Sequence, residues 1–171
     1  FAKVYFPRII LPLGKVMSGL LRFFIQFMLF LGFYLYYIFA GNQTIQPAYN
    51  LFIIFPILIL QMAILGLGIG LIISSMTIKY RDLKYLVSFG TQLLMYLSPI
   101  IYPLSSVPNK YKFIIMCNPM TPVIEAFRFL FLGQGELVIE MYFYSILVSI
   151  LTFIVGLMLF NKVEKNFIDL V

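Results

Sequence analysis

Histidine is absent from the 171-residue chain, and cysteine occurs once, as Cys117. Without histidine, the commonest general base and the commonest ligand for zinc, copper or iron are both missing. A single thiol excludes an intrachain disulfide, so the fold has no covalent staple and cysteine usage says nothing about compartment. Charge is scarce as well. Only 11% of residues are Asp, Glu, Lys or Arg, against 63% apolar, whereas soluble domains carry roughly 25% charged and 45–50% apolar residues. That balance excludes a water-soluble fold and points to lipid as the solvent of the long apolar runs. The six carboxylates place no pair inside an apolar run, so the usual acid–base constellations cannot be assembled and the chain is not expected to be an enzyme. No GxxxxGK[ST] occurs, so the chain does not itself cradle nucleotide phosphates. An initiator Met and a cleavable leader pattern are also missing; opening on Phe1-Ala2-Lys3, the sequence reads as the C-terminal part of a longer chain.

The net charge is +6, but a nucleic-acid partner needs Lys and Arg gathered on one soluble face. Here they lie between apolar runs, as in cytoplasmic loops that face anionic headgroups and follow the positive-inside bias. Residues 1–22 hold Lys3, Arg8, Lys15 and Arg22, no acidic residue, and two prolines, Pro7 and Pro12, expected to prevent a long regular helix. This is the expected cytoplasmic basic segment.

Residues 23–40 carry no charge and, at 1.5 Å per residue, reach about 27 Å, enough for one crossing. Residues 41–50 read as a short polar outer loop, containing a weak glycosylation pattern at Asn42-Gln43-Thr44. Residues 51–75 form a second span, with Pro56 as a candidate kink. Within it Gly66, Gly70 and Ser74 recur every four residues, a small-residue stripe that admits a neighbouring helix. The GxGxG over residues 66–70 lacks a preceding strand and a following acidic residue, so it is not a dinucleotide loop.

Residues 76–85 gather Lys79, Arg81, Asp82 and Lys84 into a second cytoplasmic loop. Residues 86–102 are a third span, shorter and more polar than the others, with Gly90, Gln92, Ser98 and Pro99 suiting a surface that faces protein or a pore. Prolines 103, 108, 119 and 122 break residues 103–140 into re-entrant or interfacial helices on the outer side. Thr121 is read there as a helix N-cap, with Pro122 at the first helical position and Glu125 near the positive end of the dipole. Glu125 and Arg128 face each other at i,i+3. Residues 141–160 form a fourth span and 161–171 a tail on the side where the chain began. Lys110, Lys112 and Arg128 then lie outside, and the other basic residues share the side of the termini, which is read as cytoplasmic.

A secondary transporter would place charged groups near the midplane, and none of the four runs has one. Coupling energy is therefore expected from outside the chain. The stretch Lys79-Tyr80-Arg81-Asp82-Leu83 is the best handle for a cytoplasmic motor; the plainer reading is a basic loop that only orients the topology.

That stretch, followed by Ser98-Pro99-Ile100-Ile101-Tyr102-Pro103, Val107-Pro108, Asn118-Pro119-Met120-Thr121-Pro122, Glu125, Arg128 and Gly133, resembles the permease subunit of type-2 ABC exporters. It is most similar to the branch that exports O-antigen, teichoic acid or capsule, and Val4-Tyr5-Phe6-Pro7-Arg8 with Leu11-Pro12 extends the likeness to the start. The resemblance implies an all-α polytopic membrane protein of the bacterial inner membrane, with the last four of six spans present here. It implies a homodimer working with two separate ATPase subunits, which hold ATP and Mg²⁺, so that the chain itself binds no cofactor or metal. Residues 79–83, with Arg8, would meet the ATPase. Residues 104–136 would form outer gate helices containing Asn118, Pro119, Pro122, Glu125 and Arg128, and Tyr96, Ser98, Pro99 and Tyr102 would lie at the pore. Tyrosine faces suit a sugar chain that stacks while sliding, although Ser and Tyr on a membrane helix also serve as interface residues. The expected function is export of a lipid-linked polysaccharide. Export of a drug or lipid is the alternative within the family, and a non-transporting membrane anchor or assembly factor the alternative outside it. Nucleic acid is not an expected partner; membrane lipid is.

Overall fold

The computed structural model describes residues 10–40, 53–80, 82–135 and 138–168, with side chains for all of these except 78, 79, 109 and 164–168. All regular structure among them is helical: α1 (Ile10–Phe39), α2 (Phe55–Lys79), α3 (Leu83–Leu97), α4 (Asn109–Met116), α5 (Met120–Leu132) and α6 (Ile139–Ile168), with a 3₁₀ turn at Leu104–Ser106. Three stretches are long and apolar enough to cross a membrane: Ile10–Phe39, Phe55–Thr77 and Ile139–Val163. Taken as one bent span, α4 and α5 make a fourth.

Several boundaries differ from the sequence reading. Pro12 was expected to help exclude a long helix before residue 23, yet α1 runs unbroken from Ile10. Pro56 was a candidate kink, yet it stands at the very start of α2. Pro122 was assigned to the first helical position, yet α5 already begins at Met120. Pro56 and Pro122 fall in a first turn, where backbone N–H groups have no intrahelical acceptor and a missing N–H costs nothing. The basic loop 76–85 shrinks accordingly, since α2 continues through Lys79 and α3 starts at Leu83. The third run, expected over 86–102, is the 15-residue α3, about 22 Å long, followed by a turn.

The packing axis is α2 against α6. On α2 the buried residues Leu58, Gln61, Leu65, Gly68, Leu71 and Ser75 follow helical spacing, and on α6 Ser145, Ser149, Gly156 and Phe160 do the same. The small side chains bring the backbones together: a Cβ on Gly68 would lie 2.7 Å from the Phe153 nitrogen, and one on Gly156 would lie 2.6 Å from the Gly68 carbonyl oxygen. Small residues at helix crossings replace hydrophobic burial as the source of affinity in lipid. Built on Gly66 or Gly70, a Cβ meets nothing within 4 Å among the described residues. The expected stripe at Gly66, Gly70 and Ser74 therefore sits beside this crossing rather than in it.

A second cluster joins α1 and α5 to the start of α2. Phe131 meets Phe27, Phe30, Tyr34 and Phe55 edge-on, with centroids 5.4–5.8 Å apart, and Phe127 meets Phe55 at 5.8 Å in the same manner. Edge-to-face rings bury large area with favourable quadrupole contacts. Leu58, Val123, Ala126 and Leu130 fill the space between them.

Candidate functional site

The turn after α3 has carbonyl groups that neither helix nor strand can satisfy, and in an apolar setting each needs a donor. Ser98 closes α3, its N–H donating to the Leu94 carbonyl at 3.0 Å and its hydroxyl to the same oxygen at 2.8 Å. Beyond it, Arg128 Nη2 donates to the carbonyl oxygens of Pro99 at 2.9 Å, Ile100 at 3.4 Å and Tyr102 at 3.5 Å. The other arm of the guanidinium pairs with Glu125, at the i,i+3 spacing the sequence suggested. Glu125 is only 5% exposed and also accepts from the Leu104 N–H at 3.2 Å. A buried carboxylate with a charged partner and a backbone donor is satisfied where a lone one would be costly.

The Asn-Pro turn between α4 and α5 locks onto the same place. Asn118 Nδ2 donates to the Ser98 hydroxyl at 2.9 Å, while its Oδ1 accepts from the Met120 N–H at 3.0 Å. Thr121 was expected to cap α5, but its hydroxyl donates to the Ile115 carbonyl at 2.6 Å and ties α5 back to α4. From α6 the Ser145 hydroxyl donates to the Pro119 carbonyl, and in turn accepts from Gln61 Nε2 of α2 at 2.6 Å. Tyr144 adds a bond to the Cys117 carbonyl at 3.2 Å. At the far end of α5, Gly133 takes the left-handed conformation that ends helices, and its N–H donates to the Phe129 carbonyl at 3.0 Å. Gly135 has φ of 104°, and a Cβ there would stand 2.7 Å from Glu125 Oε2, so two constraints require glycine.

Of the sequence-derived pore and gate residues, Ser98, Pro99, Tyr102, Asn118, Pro119, Glu125 and Arg128 thus meet in one hydrogen-bonded knot, with Pro122 buried in the first turn of α5 beside it. Tyr96 is at the edge, 66% exposed, and its carbonyl accepts from the Tyr102 hydroxyl at 3.3 Å. The proposed coupling residues are elsewhere, at the opposite end of α3. There Asp82 precedes the helix without a side-chain cap bond, and the Leu83 N–H donates to the Tyr80 carbonyl at 3.3 Å. Arg8, Arg81 and the Lys79 side chain lie outside the described residues. Sequence reasoning missed Gln61, Ser145 and Gly135. The signals were Gln61 as the one amide within 51–75, and Ser145 and Ser149 as a four-residue repeat, but only the fold shows that Gln61 and Ser145 meet.

α3 itself has two unlike halves. At 100° per residue, Leu86, Val87, Gly90, Leu93, Leu94 and Leu97 share one half, and Lys84, Tyr85, Ser88, Thr91, Gln92 and Tyr96 share the other, with Met95 among them and Phe89 at the border. The half-buried residues Leu83, Val87 and Gly90 belong to the aliphatic side, and α3 packs against α2. Every residue named on the polar half is exposed and turned away from that contact. Such a surface is ill-matched to hydrocarbon, which polar groups avoid unless they line a cavity or a protein contact.

Residues 3–132 match the ABC-2 type transporter family. The chain is 31% identical over 168 residues to an O-antigen export system permease protein RfbA of Klebsiella pneumoniae, which covers 98% of this chain and 62% of the relative. A second Klebsiella pneumoniae protein of that name is 30% identical with the same coverage. One from Myxococcus xanthus is 27% identical over 133 residues, 75% of this chain and 48% of the relative. The chain therefore spans about three fifths of the length of the Klebsiella relatives. The motif blocks that meet in the knot, from Ser98 to Arg128, fall inside the matched region, and the chain is a multi-pass membrane protein of the ABC-2 type transporter family.

Proposed function

We propose that the chain is the membrane-spanning part of a permease that exports a lipid-linked polysaccharide, of O-antigen, teichoic acid or capsule type, across the bacterial inner membrane. The observation that carries this reading is the uncovered polar half of α3, which rises from the charged turn at Tyr80–Asp82 to the knot at Ser98. Ser88, Thr91 and Gln92 offer hydrogen bonds to sugar hydroxyls, and Tyr85 and Tyr96 offer ring faces on which sugars stack. Apart from Lys84 in the first turn, this half is uncharged, so a polymer slides along it without being held by an ion pair. The names of the Klebsiella and Myxococcus relatives support a polysaccharide cargo over a drug or lipid.

ATP hydrolysis belongs in this reading to a separate subunit, met through residues 79–83 and Arg8 on the cytoplasmic side, where both ends of the chain also lie. A second copy of the chain completes the path, and α4 and α5 form its outer gate.

The test uses the full-length permease with its ATPase. Bulky aliphatic residues at Tyr96 and Tyr102, in a protein still present in the membrane, are expected to lower surface polysaccharide several-fold. Export at the parent level would remove both residues from the path. Arg81→Glu is expected to reduce copurification of the ATPase; if neither copurification nor transport-stimulated turnover changes, the handle is elsewhere.

A further inference from the structure

We propose that α4 is an anchor to the bilayer surface, with Lys110 on an anionic phospholipid headgroup and Phe113 and Ile114 in the acyl boundary beneath it. Three observations converge on this. The first is direction. α5 follows α1, since Phe127 meets Phe23 while Phe131, one turn further on, meets Phe27, Phe30 and Tyr34. α4 is bent from α5 by 96°, so it runs across the bundle and presents a flank instead of continuing the span. At eight residues, about 12 Å, it is far too short to cross by itself.

The second observation is the composition of the free flank. Ile115 is buried and points inward. Away from it, Phe113 is 75% exposed and Ile114 more than half exposed, and at 100° per residue Lys110 falls between the two, while Tyr111, one turn before Ile115, is exposed at the edge of the inward face. Large apolar side chains with an ammonium among them are poorly suited to a purely aqueous surface and equally to pure hydrocarbon. They suit the boundary, where the lysine stem reaches up and its head stays with phosphate.

The third is charge. α4 carries Lys110 and Lys112 and no acidic residue, and Glu125 of the neighbouring α5 is already paired with Arg128. Lys110 also stands 5.9 Å from the centre of the Tyr111 ring. A tyrosine beside a lysine is the pairing found at headgroup level, where each ring has a wet and a dry end. The anionic headgroup is the occupant that supplies both a countercharge, which no described residue gives to Lys110 or Lys112, and the apolar layer below it.

The proposal rests on membrane residence and not on export, so its failure leaves the permease reading standing. The test is made on the full-length permease with its ATPase, in vesicles of phosphatidylethanolamine and phosphatidylglycerol, by introducing Phe113→Trp and, separately, Ile114→Trp. The fluorescence increment over the parent protein is expected to be blue-shifted and strongly quenched by brominated acyl chains. Absence of bromolipid quenching at both positions overturns the proposal; iodide access would then identify a water-filled channel wall, and iodide exclusion a protein partner. With Lys110→Ala added, the preference of the quenching for brominated phosphatidylglycerol over brominated phosphatidylethanolamine is expected to fall about fivefold, as for one basic residue lost from an anionic surface. An unchanged preference overturns the role of Lys110.

Discussion

Arg128 Nη2 lies 2.9 Å from the carbonyl oxygen of Pro99, a residue 29 positions earlier in the chain. One guanidinium thereby stands in for a turn's missing backbone donors, and its countercharge, Glu125, binds the next residue that needs an acceptor, Leu104. The planar fork makes this arrangement available to arginine and to no other side chain.

Arg128→Ala leaves the Glu125 carboxylate buried without its partner and three carbonyls without a donor. The expected loss is about 3–5 kcal/mol, the range for breaking a buried pair from one side. It would be read as a lower thermal midpoint of the purified full-length permease or as loss of folded protein from the membrane. Arg128→Lys should fall between, keeping a charge for Glu125 but losing the fork; a parent-like midpoint for the alanine variant would contradict the clamp.

The α2–α6 crossing makes a paired prediction. Gly68→Ala and Gly156→Ala drive a methyl into the opposing backbone and should each destabilise by about 1–3 kcal/mol. Gly66→Ala and Gly70→Ala enter open space within this chain and should be neutral, or gain up to about 1 kcal/mol from helix propensity. Thermal midpoints of the four variants in detergent test the contrast, and the reverse order would displace the crossing.

Those four glycines also show what was legible in the sequence. Apolar runs are visible because lipid demands them, so α1, α2 and α6 each overlap an expected run, although α1 already runs from Ile10 rather than from residue 23. The roles of Pro56 and Pro122 were misplaced because proline is a breaker only in helix interiors, and a sequence does not declare which turn a proline will occupy. Gly66, Gly68 and Gly70 offer two faces of one helix, and the choice between them is written on α6, in Ser145, Ser149 and Gly156. The site divides in the same way. The local pair Glu125 and Arg128 follows from spacing, whereas Arg128 to Pro99, Asn118 to Ser98 and Gln61 to Ser145 depend on tertiary folding.

Gly135→Ala tests the support behind the Glu125 carboxylate. It combines a backbone conformation disfavoured for alanine with a methyl 2.7 Å from Glu125 Oε2. A loss of roughly 1–3 kcal/mol is expected, measured as a drop in thermal midpoint. Gly133→Ala, at φ of 65° in the ordinary left-handed region, carries a smaller conformational cost and should lose less.

Ser88→Leu and Gln92→Leu convert the polar half of α3 to the character of its other half. Both should leave the amount of permease in the membrane unchanged and lower surface polysaccharide several-fold. Leu86→Ile, on the aliphatic half, is the control and should export at the parent level. Equal export by all three variants would mean that the polar half serves a protein contact.

The amide of Gln61 finds its hydroxyl partner in Ser145, 84 positions later. During synthesis α2 therefore enters the bilayer long before the hydroxyl that accepts from its amide Nε2 exists. Until α6 emerges, that amide must be hydrated, borrow a temporary partner, or hold α2 back from full insertion. α6 is thus the step that supplies α2 with its polar partner, and a nascent chain cut short of α6 carries an unmet polar group that marks it as unfinished to any quality-control factor that senses polar groups in lipid.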